Sequence, residues 1–117
     1  VVCYNQHYGI LLVSFFFIFI FLLIYAVMSI QGKSIHLQGR VQQVGFRYYV
    51  YRLASELGVK GFVKNMPDGS ISVEAECDSH TMEVFIEHCK KGSPQSKVSK
   101  CEATPIEVKG YECFKIF

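Results

Sequence analysis

The sequence contains no tryptophan and no Cys-x-x-Cys pair. Its five cysteines, Cys3, Cys77, Cys89, Cys101 and Cys113, stand far apart, and no histidine completes a zinc-ligand spacing beside them. That pattern excludes a zinc ribbon and a dithiol redox centre. An odd number of separated cysteines fits reduced, structural thiols in a reducing compartment. Charge of one sign is also scarce. Twelve basic and ten acidic side chains leave a formal net charge of +2, far from the basic excess with which nucleic-acid binders hold phosphates. With no RNP-like aromatic pattern either, a nucleic-acid partner is not expected. Residues 1–27 carry no Asp, Glu, Lys or Arg at all.

What that uncharged stretch has instead is a nearly unbroken apolar run, Ile10 to Met28. As a helix it would span about 28 Å, close to the hydrocarbon thickness of a bilayer. A cleaved signal peptide fits poorly: there is no basic leading region, the run is long, and no small-x-small site follows. Two readings stay open. Residues 1–29 are an apolar helix that anchors the chain to a membrane through residues 10–28, or they are an upstream extension absent from the mature protein, since Met28 precedes what reads as a complete domain. Under the first, Lys33 and Arg40 lie on the C-terminal side of the span, and the positive-inside tendency places residues 30–117 in the cytoplasm. The second gives the same compartment.

Residues 30–117 alternate between strand and helix signals. Ser34–Gln38 reads as a first strand ending at Gly39. Phe46–Leu57 reads as a helix, because Val50, Leu53, Ala54 and Leu57 fall at i, i+3, i+4 and i+7, with Gly58 where a C-terminal cap belongs. Val59–Asn65 and Ser70–Ala75 are strands joined by Met66-Pro67-Asp68-Gly69, in which proline presets one backbone angle and Asp-Gly supplies the turn. Ser79–Lys90 is a second helix, capped by Asp78 or Ser79 and stopped by Gly92 and Pro94. Lys97–Thr104 and Glu112–Phe117 supply the last strand or strands. The order βαββαβ predicts an α+β, ferredoxin-like sandwich, with both helices on one face of an antiparallel sheet.

Between the first strand and the first helix lies Gly39-Arg40-Val41-Gln42-Gln43-Val44-Gly45-Phe46-Arg47. A loop in this position aims successive backbone N–H groups into one concavity, and the helix N-terminus adds partial positive charge there. Phosphate is the natural guest, and Arg47 in the first helical turn can grip two of its oxygens with a planar fork. On that pattern alone, an ordinary turn with a solvated arginine remains an alternative. His36 reads as structural or a surface residue, Tyr48, Tyr49 and Tyr51 as packing or surface aromatics, and Asp68 as a turn residue. Ser70 reads as an ordinary hairpin serine.

The blocks GRVQQVGFR, GFVKNMPDGSISVEAE and KKGSPQSKV, and a terminal FKIF, resemble the acylphosphatase family in sequence and spacing over nearly all of residues 32–117. The resemblance implies the same ferredoxin-like fold and a monomeric hydrolase of acyl phosphates that needs no metal and no cofactor. It implies that Arg47 is the catalytic phosphate-binding arginine and that Asn65 orients the attacking water. Gly39, Val41, Gln42, Gln43, Val44, Gly45 and Phe46 then form the phosphate loop, and inorganic phosphate is both product and competitive inhibitor. Two positions depart from the family pattern. Gln43 stands where glycine is usual, and is strained by about 1 kcal/mol or more if the loop needs a positive φ there. Phe62 replaces the usual tryptophan, a conservative change. Gln43 also supports an alternative: a catalytically weak domain that binds phosphate or carbamoyl phosphate.

The chemistry suits these residues. An acyl phosphate leaves behind a weakly basic carboxylate, so neither a strong general acid nor a metal is needed to expel it. What remains is to hold the phosphoryl group, neutralise its charge and aim a water in line.

Overall fold

The computed structural model describes residues 13–25 and 29–117. Residues 13–25 are helical, and Phe15, Phe16, Phe17 and Phe19 are exposed. Among the described residues no helix is long and apolar enough to cross a membrane. Residues 10–12 and 26–28 of the expected span lie outside the described residues.

The remainder forms β1 (Ile30–Arg40), α1 (Phe46–Leu57), β2 (Lys60–Asn65), β3 (Ile71–Asp78), α2 (Ser79–Lys91), β4 (Lys97–Ile106) and β5 (Phe114–Ile116). α1 has the boundaries its periodicity predicts. It buries Phe46, Val50 and Ala54, each four residues apart, and Gly58 ends it in the left-handed region while donating its N–H to Ala54 O. α2 begins where Asp78 accepts the Thr81 N–H at 3.1 Å. It ends with His88, Lys90 and Lys91 at its negative pole.

The sheet order is β4-β1-β3-β2-β5. β1 pairs antiparallel with β3 and β4, and β2 pairs antiparallel with β3. The wholly antiparallel sheet expected from the sequence is corrected in one respect: a fifth strand, β5, runs parallel to β2. It is only three residues long, and the connection that crosses from β4 to the far edge allows that direction. Ile35, Leu37, Val63, Ile71, Val73 and Ala75 alternate along the strands and are fully buried against Phe46, Val50, Met82 and Phe85 of the helices. Burying each large apolar side chain contributes about 1.5–3 kcal/mol, so this single layer between sheet and helices is the principal source of stability. His36, Ser72 and Glu74 occupy the alternating positions between these core residues.

The four described cysteines are free. Burial pushes the Cys77 thiol up to about 11, with the Asp78 charge adding to it, and burial also raises Cys89. Both stay protonated and serve as small core side chains.

Topology gathers one end of the sheet. In the antiparallel register Leu37 lies beside Ile71, and Ile71 beside Asn65, so the exit of β1, the start of β3 and the end of β2 are neighbours. Because β5 is parallel to β2, its C-terminal end reaches the same place.

Candidate active site

β1 leaves the sheet through an irregularity between Gln38 and Gly39. Gly39 has φ 127°, and a Cβ there would lie 2.2 Å from Lys97 O. Only glycine permits this approach to β4, and it turns the chain into the loop 41–45. Gly45 closes the loop at φ 74° and occupies the N-cap of α1 without a side-chain cap, and no acidic residue stands in the first turn. The first bond of the helix is Tyr49 N–H to Gly45 O at 3.0 Å. Residues 42–45 form a turn that runs directly into the helix, and the first N–H groups of α1 have no preceding helical carbonyl to pair with. The helix start therefore offers donors to water or a ligand.

A cavity of about 190 Å³ opens here. Gln43, Gly45 and Phe46 line it from the loop and the helix start, and Arg47 and Asn65 join them. Val41 completes the loop side, and Tyr48 and Ile116 form the rim. The Arg47 guanidinium donates from Nη1 to Phe117 O at 2.5 Å. Phe117 in turn donates its N–H to Val63 O at 2.9 Å, so the β2–β5 pairing fixes the arginine's partner. The Asn65 side-chain oxygen is buried and has no hydrogen-bond partner among the described residues. Leaving such an atom unsatisfied costs about 1–3 kcal/mol, which a bound water or ligand donor would recover.

The expected loop residues divide by task. Val41, Gln43, Gly45, Phe46 and Arg47 line the cavity together with Asn65. Gly39, Gln42 and Val44 do not. Gly39 makes the bulge, Val44 packs against the core, and Gln42 is a clamp. Its Nε2 donates to Met66 O at 2.8 Å and to Ser70 O at 2.9 Å, tying the loop to the β2–β3 hairpin. That hairpin is itself braced. Asp68 Oδ1 accepts the Ser70 N–H at 2.9 Å and the Ser70 hydroxyl at 2.5 Å. The Ser70 proton is then committed, so His36 Nε2, 2.7 Å away, is the donor to Ser70 Oγ. Hydrogen bonds from the Ser70 side chain and backbone hold the Asp68 carboxyl below the usual carboxylate range. His36 and Asp68 are therefore structural, as expected, but the brace they build around Gln42 had no local sequence signal. The participation of Phe117 was foreshadowed only by the terminal FKIF block.

Gln43 has φ 61° and is the one non-glycine residue with positive φ among the described residues. The condition for strain stated above is met. Of the tyrosines, Tyr49 donates its hydroxyl to His88 O at 3.0 Å and joins the two helices, whereas Tyr48 stays 60% exposed at the mouth of the cavity.

Comparisons with known proteins agree with this geometry. The acylphosphatase family model matches residues 33–116. An acylphosphatase of Archaeoglobus fulgidus is 42% identical over 83 residues, covering 71% of this chain and 93% of that protein. One from Thermotoga petrophila is 43% identical over 86 residues, covering 74% and 96%. The crystal structure of acylphosphatase from Bacillus subtilis superposes with a TM-score of 0.73 at 38% identity, covering 74% of this chain and 98% of that one. A loop running into a helix N-terminus, an arginine beside it and matches over nearly the whole length of these relatives converge: the chain belongs to the acylphosphatase family and is a hydrolase of acyl phosphates.

Proposed function

We propose that Arg47 and the backbone N–H groups of Gln42 to Phe46 bind the phosphoryl group, and that Asn65 holds the water that attacks it in line. The observation that carries this reading is the single cavity lined by Gln43, Gly45, Arg47 and Asn65. The water oxygen bonds to phosphorus as the bond from phosphorus to the acyl oxygen breaks. The carboxylate leaves with that electron pair. Asn65 is no base, so the water's proton passes to a phosphoryl oxygen. Arg47 and the N–H groups neutralise charge on the equatorial oxygens, where preorganised donors have their largest effect. Expelling a carboxylate calls for no metal. Inorganic phosphate, bearing the same oxygens, is a competitive inhibitor as well as the product, and a monomer suffices because one chain contributes every group. The alternative of a weak phosphate- or carbamoyl-phosphate-binding module is not favoured, since the relatives that match are named acylphosphatases.

The test is hydrolysis of benzoyl phosphate by the purified chain in the presence of EDTA. Turnover should persist. Loss of activity on chelation, restored by a divalent ion, would contradict the mechanism.

Residues 30–117 are the catalytic unit in this proposal, acting in the cytoplasm, and residues 10–28 attach it to a membrane. The exposed phenylalanines of the helix 13–25 and the position of Lys33 and Arg40 support that arrangement. Flotation with lipid vesicles should carry the full chain and leave a variant lacking residues 1–29 in the soluble fraction, while both hydrolyse benzoyl phosphate equally. Equal flotation, or none for either, would remove the anchor.

A further inference from the structure

The phosphate-loop cavity does not stand alone. A larger groove of about 370 Å³ adjoins it, and the two share Gly45 and Tyr48. One side of α1 forms a wall of the groove, with Leu53 the apolar residue farther along it, and Ser93 and Pro94 after α2 form the opposite wall. A third cavity, of about 500 Å³, lies on the β2–β5 edge around Phe62, Tyr111 and Phe117, the last being the residue whose carbonyl accepts from Arg47.

In-line displacement decides which of the two neighbours meets the acyl half of the substrate. The leaving oxygen departs on the side of phosphorus opposite the attacking water. If Asn65 holds that water, as proposed above and as this inference requires, the carboxylate leaves away from the end of β2. The 500 Å³ cavity is built on β5, the loop before it and the start of β2, the strand that ends at Asn65. The 370 Å³ groove contains no residue of either strand and opens from the start of α1.

Two further observations fit an acyl group in the groove. Tyr48 is an aromatic ring left 60% exposed at the junction, with the Tyr51 ring beside it at 6.4 Å and 27°. Among the described residues, only two buried side-chain atoms lack a hydrogen-bond partner: Asn65 Oδ1 and Ser93 Oγ. Ser93 lines the groove and Asn65 the phosphate-loop cavity. Serine has three staggered rotamers, so the unpartnered Ser93 hydroxyl is not tied to its present orientation. Arg52, the cation of the groove, is paired with Glu56 at 3.5 Å, so the far end of the groove is close to neutral.

We propose that this groove is the acyl subsite, and that the enzyme selects acyl phosphates whose acyl group is apolar and bulky, aromatic or branched. The acyl group lies along Tyr48, Leu53 and Pro94, with Ser93 donating to one of its oxygens. An acetyl group is too short to fill the groove and gains little from it.

The experiment compares kcat/KM for benzoyl phosphate and acetyl phosphate in the wild type, Tyr48→Ala and Tyr48→Phe. Tyr48 is exposed, and circular dichroism checks that each variant is folded. The ratio of benzoyl to acetyl phosphate should fall roughly three- to tenfold in Tyr48→Ala, the range an aromatic pair supplies, mainly through KM, and Tyr48→Phe should restore it. An unchanged ratio in Tyr48→Ala, including an equal loss on both substrates, overturns the proposal, as does a Tyr48→Phe ratio as low as that of Tyr48→Ala. Asn65→Ala separates the two readings. Wild-type turnover in that variant would mean that Asn65 does not place the water, and would remove the direction of departure on which the subsite rests.

Discussion

Two loops in this domain present clusters of backbone N–H groups, and they are finished in opposite ways. After β4, the segment 107–113 aims the N–H groups of Lys109, Gly110 and Tyr111 at the carboxylate of Glu76. Gly110 supplies the positive φ, 80°, that helps curl the chain around it. Glu76 is 4% exposed, and its side-chain oxygens accept from backbone N–H groups. Beside it Glu74 accepts from Lys109 Nζ at 2.6 Å and from the Tyr111 hydroxyl at 2.9 Å, so the loop is closed by its own chain. The segment 41–45 uses the same device with no internal anion, and it adds Arg47 where the other loop has carboxylates. One cluster is saturated and structural. The other is left open, carries strain at Gln43, and accepts an external oxyanion.

Breaking the open cluster should abolish chemistry and leave the fold intact. Arg47→Ala should lower kcat/KM by about 10²–10³, the effect of removing one preorganised donor from an oxyanion site, and should weaken inhibition by inorganic phosphate in parallel. Asn65→Ala should reduce kcat on a similar scale with phosphate inhibition near that of the wild type, because it acts on water. Steady-state kinetics with phosphate as inhibitor separates the two, and equal loss of phosphate affinity in both variants would contradict the division of labour.

Breaking the saturated cluster should do the reverse. Glu76→Ala strands three donors whose bonds to a charged acceptor contribute about 1.5–3 kcal/mol each at most. A net loss of about 3 kcal/mol, read as a lower urea midpoint at unchanged m, is expected. Turnover by the folded fraction should change little. A large fall in kcat with unchanged stability would mean that the two loops are not independent.

The comparison sharpens at Gln43. A residue other than glycine in the left-handed region costs roughly 1–2 kcal/mol, and glycine adds unfolded-state entropy worth roughly 0.4–1 kcal/mol. Gln43→Gly should therefore stabilise the domain by about 0.5–1 kcal/mol. A lower midpoint would show that the Gln43 side chain makes a contribution exceeding its backbone strain.

Acid should reach both loops, most weakly of all. Asp68 is held below its ordinary pKa by Ser70, and Glu74 is lowered by Lys109 and Tyr111 against the opposing effect of burial. A carboxyl with a depressed native pKa contributes stability that is present above its unfolded value and lost as pH falls through its native value. Unfolding midpoints should be level above pH 5 and decline below about pH 4. Asp68→Asn should flatten part of that decline, and an identical decline would remove Asp68 from the account.

Much of this was legible in the sequence. α1 announced itself by apolar spacing and Gly58, and the hairpin by Pro67-Asp68-Gly69. Those signals are local. Strand ends were less legible: β1 begins at Ile30 rather than Ser34, and β3 continues to Asp78 rather than Ala75, because pairing with a neighbour carries a strand beyond its own pattern. The Gln42 clamp, the Glu76 cluster and the parallel β5 were not legible, since each joins residues at least 24 positions apart. At the site, the strand-loop-helix order and Arg47 pointed to an anion, and the family resemblance singled out Asn65. Nothing local indicated that Asn65 Oδ1 would be left unpartnered, because that depends on what the fold leaves out around it.

The central claim, that one N–H cluster is open and the other filled, is tested most directly by titrating the isotopically labelled protein with inorganic phosphate and following its backbone amide resonances. The amides of Gln42 to Tyr48 should shift together in a saturable way, while those of Lys109, Gly110 and Tyr111 stay fixed. Phosphate-dependent shifts in the second group, or none in the first, would contradict the account.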